Sequence, residues 1–202
     1  MSDRRNIFNC AKINEIPQAE CEALMTLASS LSGHHWNAKK NPCFWKGIKC
    51  QKGHVISICM PNQKLTGTLP DLSVFSHLVL LQLHQNRLTG ALPILNYLTH
   101  LKVLTLHNNQ LSGSIPNLSD LIQLKVLVLD NNQLTGTLPP LNRLVHLERL
   151  SIGHNQLTGS LPDLTALNQL KIFSLPNNQL NGSRFHKAIT TPIVPKIKVR
   201  SS

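Results

Sequence analysis

Between residues 55 and 182, apolar residues recur in two rhythms at once. Within one stretch, LKVLTLHNNQLSGSIPNLSDLIQ from Leu101, the leucines at 101, 104 and 106 give L-x-x-L-x-L. The last two alternate, as in a short strand with one buried face. Leu118 and Leu121 then follow at a spacing of three, which suits an extended or 3₁₀-like segment. The second rhythm is longer. Leu65, Leu88, Leu111, Leu134, Leu157 and Leu180 stand 23 residues apart, and so do Gly67, Gly90, Gly113, Gly136, Gly159 and Gly182. Pro70, Pro93, Pro116, Pro139 and Pro162 keep the same step. A fixed period in this range predicts a solenoid whose coils stack one on another.

The polar positions fit that prediction. Gln63, Asn86, Asn109, Asn132, Asn155 and Asn178 form one column. A coil that turns sharply after its strand leaves buried backbone groups in need of partners. An asparagine amide offers both a donor and an acceptor, so the column is expected to bond successive coils. Gln63 departs from it, and its bond is expected to be weaker or differently supplied. The glycine column suits a positive φ or a close backbone approach. The proline column ends strand pairing by removing an N–H.

The string L-x-x-L-x-L-x-x-N-x-L-x-G-x-[LI]-P, which returns from Leu78 onward, resembles the leucine-rich repeat. Its second half resembles the plant-type subclass, although these coils are slightly shorter. The resemblance implies an α/β solenoid, a right-handed coil with a parallel β-sheet on its concave face and 3₁₀ or irregular structure on its convex face. Six repeats are expected over 55–182, an N-terminal flank and cap over 1–54, and a C-terminal cap or basic tail over 183–202. In the first of these, Pro17 begins a helix of about 17–32, with Cys21, Leu24, Ala28 and Leu31 as its apolar stripe and Gly33 placed to end it. The segment W-N-x-x-x-N-P-C-F-W-K-G-I-K-C, from Trp36 to Cys50, resembles the cap of plant receptor ectodomains and of bacterial and protist repeat proteins. There the cysteines matching Cys43 and Cys50 pair. Trp36 and Trp45 read as aromatic core of that cap. Phe185, Ile189, Ile193 and Val194 are candidates to cover the last coil.

The chain has a net charge of +11, unevenly placed. Lys and Arg outnumber Asp and Glu by 8 to 4 over residues 1–60, 7 to 5 over 61–182 and 5 to none over 183–202. The repeats are therefore nearly balanced, which argues against a surface built for nucleic acid. Five cysteines leave one unpaired. A Cys43–Cys50 bridge implies an oxidising compartment. Cys10 can pair with Cys21, though nothing local requires it. Cys59 should point out of the first strand as a free thiol. The first residues hold no apolar core of signal-peptide length, and no run approaches a membrane span. Export is nonetheless expected, by secretion or by injection into a host cell as a leaderless bacterial effector that binds a host regulatory protein.

Outward strand residues should tile the concave face. The candidate partner-binding set is Gln82, His84, Gln85, Lys102, Thr105, His107, Asn108, Lys125, Val128, Asp130, Asn131, Glu148, Arg149, Ser151, His154 and Lys171. Asn86, Asn109, Asn132, Asn155 and Asn178, with Cys43 and Cys50, are structural. Phe, Tyr and Trp are absent from these outward columns, so the face is expected to be polar and small. The main expectation is a monomeric, non-catalytic module that binds a protein or peptide and needs no cofactor. His84, His107 and Asp130, on consecutive rungs, are an alternative metal or hydrolytic site. His77, His100 and His146, with Gln123 and Gln169, read as solvent-facing fillers at the edge where each coil enters its strand.

Overall fold

The computed structural model describes residues 8–181 and a short strand at Lys198–Val199. Phe185, Ile189, Ile193, Val194 and Gly182 lie outside the described residues. From Val55 onward the L-x-x-L-x-L segments form one sheet. Its strands β3 (His54–Cys59), β5 (Leu80–Gln82), β7 (Val103–Thr105), β9 (Val126–Val128), β11 (Arg149–Ser151) and β13 (Ile172–Ser174) pair in parallel, in chain order. The register advances by one coil each time, as in Leu81↔Leu104 and Leu104↔Leu127. The cap adds β2 (Ile48–Gln51), antiparallel to β3, at one edge, and β15 (Lys198–Val199) pairs with β13 at the other. The core is a set of leucine columns: Leu101, Leu104, Leu106, Leu111 and Leu121 are wholly buried in one coil. Each such side chain contributes roughly 1.5–3 kcal/mol on leaving water.

On the convex side, Leu121 donates its N–H to Leu118 and Leu124 to Leu121, at 3.0 and 2.9 Å. These i→i+3 bonds recur in the other coils. They are the 3₁₀-like turns that the spacing of three predicted.

The segments around the glycine column also form a sheet, which the sequence reading did not anticipate. Strands β4 (Thr66–Thr68), β6 (Arg87–Ala91), β8 (Gln110–Ser114), β10 (Gln133–Gly136), β12 (Gln156–Ser160) and β14 (Gln179–Asn181) run parallel to one another. The helix α1 (Gln18–Ser30) ends two residues short of expectation, because Leu31–Ser32 (β1) pairs antiparallel with β4 and caps this second sheet. A Cβ on Gly67 would run into the Ser30 carbonyl oxygen, so the first glycine of the column permits the cap to close. Later members hold φ between 74° and 77°.

The asparagine ladder carries the turn between the two sheets. Asn132 Oδ1 accepts from Leu111 N at 3.0 Å, while its Nδ2 donates to the carbonyls of Leu106 and Leu129 at 3.1 and 3.0 Å. Each amide therefore ties its own coil to the preceding one, and Asn86, Asn109, Asn155 and Asn178 do the same. Gln63 reaches only Pro61 and Asn62 carbonyls. Its longer side chain spends its donors locally, and among the described residues it makes no bond to the cap.

In that cap, Cys43 is bridged to Cys50 and Cys10 to Cys21, with Cα–Cα distances of 5.6 and 5.7 Å. Cys59 is free and half-buried, its Sγ 3.5 Å from Gln82 Oε1. Trp36 stacks on Trp45 with ring centroids 4.9 Å apart, and their indole N–H groups donate to the Lys46 and Asn37 carbonyls. Among the described residues no helix is long and apolar enough to cross a membrane.

Candidate recognition surface

The concave sheet presents three outward columns. The first is Ile56, Val79, Lys102, Lys125, Glu148 and Lys171, each from Val79 onward one residue before its strand and Ile56 within β3. Lys102, Lys125 and Lys171 are exposed. Glu148 sits between two of them, 2.6 Å from Lys171 Nζ and 3.6 Å from Lys125 Nζ. The hydrogen bond from Lys171, then the charges of both lysines, hold its carboxyl below the usual carboxylate range. Lys102 enters no ion pair among the described residues.

The second column is Ser57, Leu80, Val103, Val126, Arg149 and Ile172, joined laterally by strand register. Sequence reasoning passed over this column except at Arg149. Leu80, Val103 and Val126 are half-buried and Ile172 is 37% exposed. Together they lay an apolar stripe along the face. The expectation of a polar, small concave surface is corrected here. The signal was available, since the third residue of L-x-x-L-x-L points outward and is branched in coil after coil.

The third column also differs from expectation. Thr105, Val128 and Ser151 are buried, at 7, 5 and 6% exposure. Coils 4.8 Å apart leave little room between short side chains, and longer neighbours cover them: Thr105 Oγ1 lies 3.1 Å from His84 Nδ1 and Ser151 Oγ donates to Asp130 Oδ1 at 2.9 Å. These three support the surface from beneath. Gln82 is half-buried on the same column.

Gln85, Asn108, Asn131, His154 and Asn177 stand at the corner after each strand, with φ from 54° to 57°. Asparagine tolerates this left-handed conformation better than most residues. The corner's backbone, rather than a partner, accounts for the asparagines, and all five side chains are exposed.

His84 and His107 stack face to face, 4.5 Å between centroids. Burial holds both imidazoles below the ordinary histidine value; at His107 the charge of His84 adds to this, Asp130 opposes it and Arg149 adds to it. His107 Nδ1 is buried and has no hydrogen-bond partner. Asp130 does not join them as a ligand. Its Oδ1 accepts from Gly153 N and Ser151 Oγ at 2.8 and 2.9 Å. Gly153 makes room for it, since a Cβ there would stand 2.8 Å from the Pro176 ring and 3.2 Å from Asp130 Oδ1. The carboxylate is thus turned along its own sheet, and the three side chains do not converge on one ion.

Most other exposed apolar bulk is convex: Ile94, Tyr97, Ile122 and Val145 are 62, 56, 47 and 42% exposed. They are distributed over the return segments, with Ile94, Tyr97, Val74 and Pro93 lining a shallow groove.

The family model for leucine-rich repeats, in two copies, matches residues 99–143 and 122–166. Among solved structures, the crystal structure of a Pollen Receptor Kinase 3 is 37% identical, with a TM-score of 0.66, and the match covers 80% of this chain and 84% of that one. The chain is a leucine-rich-repeat protein. A probable inactive receptor kinase of Arabidopsis thaliana is 37% identical over 67 residues, which is 32% of this chain and 10% of that protein. The crystal structure of the Arabidopsis receptor kinase HAESA, in complex with the peptide hormone IDA and the co-receptor SERK1, is 25% identical with a TM-score of 0.69. That match covers 90% of this chain and 33% of the receptor chain. This leucine-rich-repeat chain thus spans a small part of the longer receptors it resembles.

Proposed function

We propose that this solenoid is a non-catalytic recognition module that holds an extended peptide or peptide-like protein segment along its concave face. The observation that carries the reading is the stripe of Leu80, Val103 and Val126 lying beside the unpaired Lys102. An extended chain places alternate side chains toward one surface. Apolar ones can cover the stripe, and an acidic one can meet Lys102, with Arg149 one rung beyond Val126. A rigid array loses little entropy on binding, and the stacked His84 and His107 border the same strands. The peptide complex of HAESA supports the class of ligand. Plant receptor relatives and two cap bridges support an extracellular setting over an injected effector. A hydrolytic reading at His84, His107 and Asp130 has no support from the geometry, because Asp130 is committed to Gly153 and Ser151.

The test is selection of a random peptide library on immobilised protein. Wild type should enrich peptides that combine acidic with branched apolar residues. Lys102→Glu with Lys125→Glu should lose that enrichment while keeping the wild-type circular dichroism. Enrichment that persists in the double variant would refute the reading.

A further inference from the structure

The column at the edge where coils enter their strands holds more than solvent-facing filler. The cap adds His54 to it, ahead of His77 and His100. His54 and His77 stack with ring centroids 3.6 Å apart, and His77 and His100 follow at 5.2 Å. Against this stack lies Glu20 of α1, only 3% exposed. Its Oε1 is 2.7 Å from His54 Nδ1 and its Oε2 accepts Val55 N–H at 2.6 Å. Among the described residues, Glu20, His54 and His77 are the group of three possible metal donors whose ligand atoms all lie within 4.8 Å of one another.

Three physical points converge here. A buried carboxylate is costly without a cationic partner, and beyond the Val55 amide this one has only imidazoles beside it. Two imidazoles and one carboxylate make a donor set that suits borderline divalent ions, zinc above all. The three donors also come from the cap helix, the first strand edge and the second coil, so an ion would fasten the cap helix to the solenoid in addition to the pairings of β2 with β3 and β1 with β4. Ligand atoms around a tetrahedral ion with bonds of about 2.0–2.1 Å stand closer together than 4.8 Å. His77 is half-buried and lies next to an exposed His100. The stacked arrangement already brings all three ligand atoms within 4.8 Å of one another, and a bound ion would draw them closer.

We propose that Glu20, His54 and His77 form a site for a divalent transition-metal ion of the zinc class, with water completing the coordination. This does not depend on the peptide-binding reading, since the site is on the cap edge and not on the concave columns.

The experiment is calorimetric titration of chelator-treated full-length protein with zinc chloride, alongside the absorption spectrum with cobalt(II). The expected result is one ion per chain, tetrahedral cobalt bands and a zinc-dependent rise in Tm. His77→Gln leaves the Glu20–His54 contact in place and, by removing a direct ligand, should weaken zinc by at least the roughly 10–100-fold that loss of an outer-shell partner costs. His84→Gln with His107→Gln should leave zinc affinity unchanged. The proposal is overturned if zinc is not taken up stoichiometrically at micromolar concentration, if His77→Gln binds like wild type, or if only the His84/His107 variant loses binding. Should His77→Gln fail to fold, wild-type cobalt spectra decide: octahedral or absent bands reject the site.

Discussion

The repeats and the cap hold themselves together by different means. In the repeats, one set of bonds is made over and over. Every coil from Leu78 sets an asparagine against the coil before it and a row of leucines against both neighbours. In the cap, each contact occurs once: two disulfides, a tryptophan stack and a buried Glu20. Periodic regions gain stability from nearest-neighbour coils and can absorb a weak rung. A cap has a neighbour on one side only; covalent and aromatic staples hold its own fold, and strand pairing joins it to the open end of the stack.

That comparison can be broken most forcefully at the core. Leu127→Ala, in a wholly buried position between two like leucines, should destabilise by about 2–5 kcal/mol. Chemical denaturation reads this directly. Cap bridges come next. Cys43→Ser with Cys50→Ser should cost about 2–3 kcal/mol in the chain-entropy account of a short loop, and near-ultraviolet dichroism of the stacked tryptophans should fall before the far-ultraviolet signal of the repeats. Asn132→Ala should cost about 1–3 kcal/mol by leaving the Leu111 amide and the Leu106 and Leu129 carbonyls without that side chain. Gln63→Ala, which breaks only local bonds, should stay within about 0.5 kcal/mol. Equal losses at the two positions would dissolve the distinction between ladder and cap edge.

The smallest expected effect is a pH response. His84 and His107 are held below their ordinary value in the fold, chiefly by burial. A depressed folded value means that the unfolded chain binds more protons. The contribution is therefore fully present above about pH 6.5, the unfolded histidine value, and is lost as pH falls below it. Melting curves between pH 7 and 5 should show a decline that His84→Asn with His107→Asn reduces.

Much of this architecture was legible because a period repeats its own evidence. The asparagine, glycine and leucine columns each predicted a role that every coil could corroborate. Features that depend on one contact were not legible. No local signal marks Glu20 of α1 as buried, since its partner His54 stands 34 residues away. The early end of α1 follows from pairing with Thr66–Gly67, which no local signal announces. On the concave face, outward direction was predicted but depth was not. Thr105, Val128 and Ser151 are short and lie sunk between rungs, while Val103 and Val126 stand proud. The second sheet was missed because its glycine-containing segments carry little strand propensity; stacking at a fixed spacing pairs them regardless.

The central claim is that ligand meets the apolar stripe of the concave sheet. Methyl-resolved nuclear magnetic resonance, with leucine, valine and isoleucine methyls labelled, tests it against a peptide recovered by selection. The account predicts shifts concentrated at Leu80, Val103 and Val126, with Ile94, Ile122 and Val145 unmoved. Shifts confined to those three convex residues, with the concave methyls silent, would contradict it.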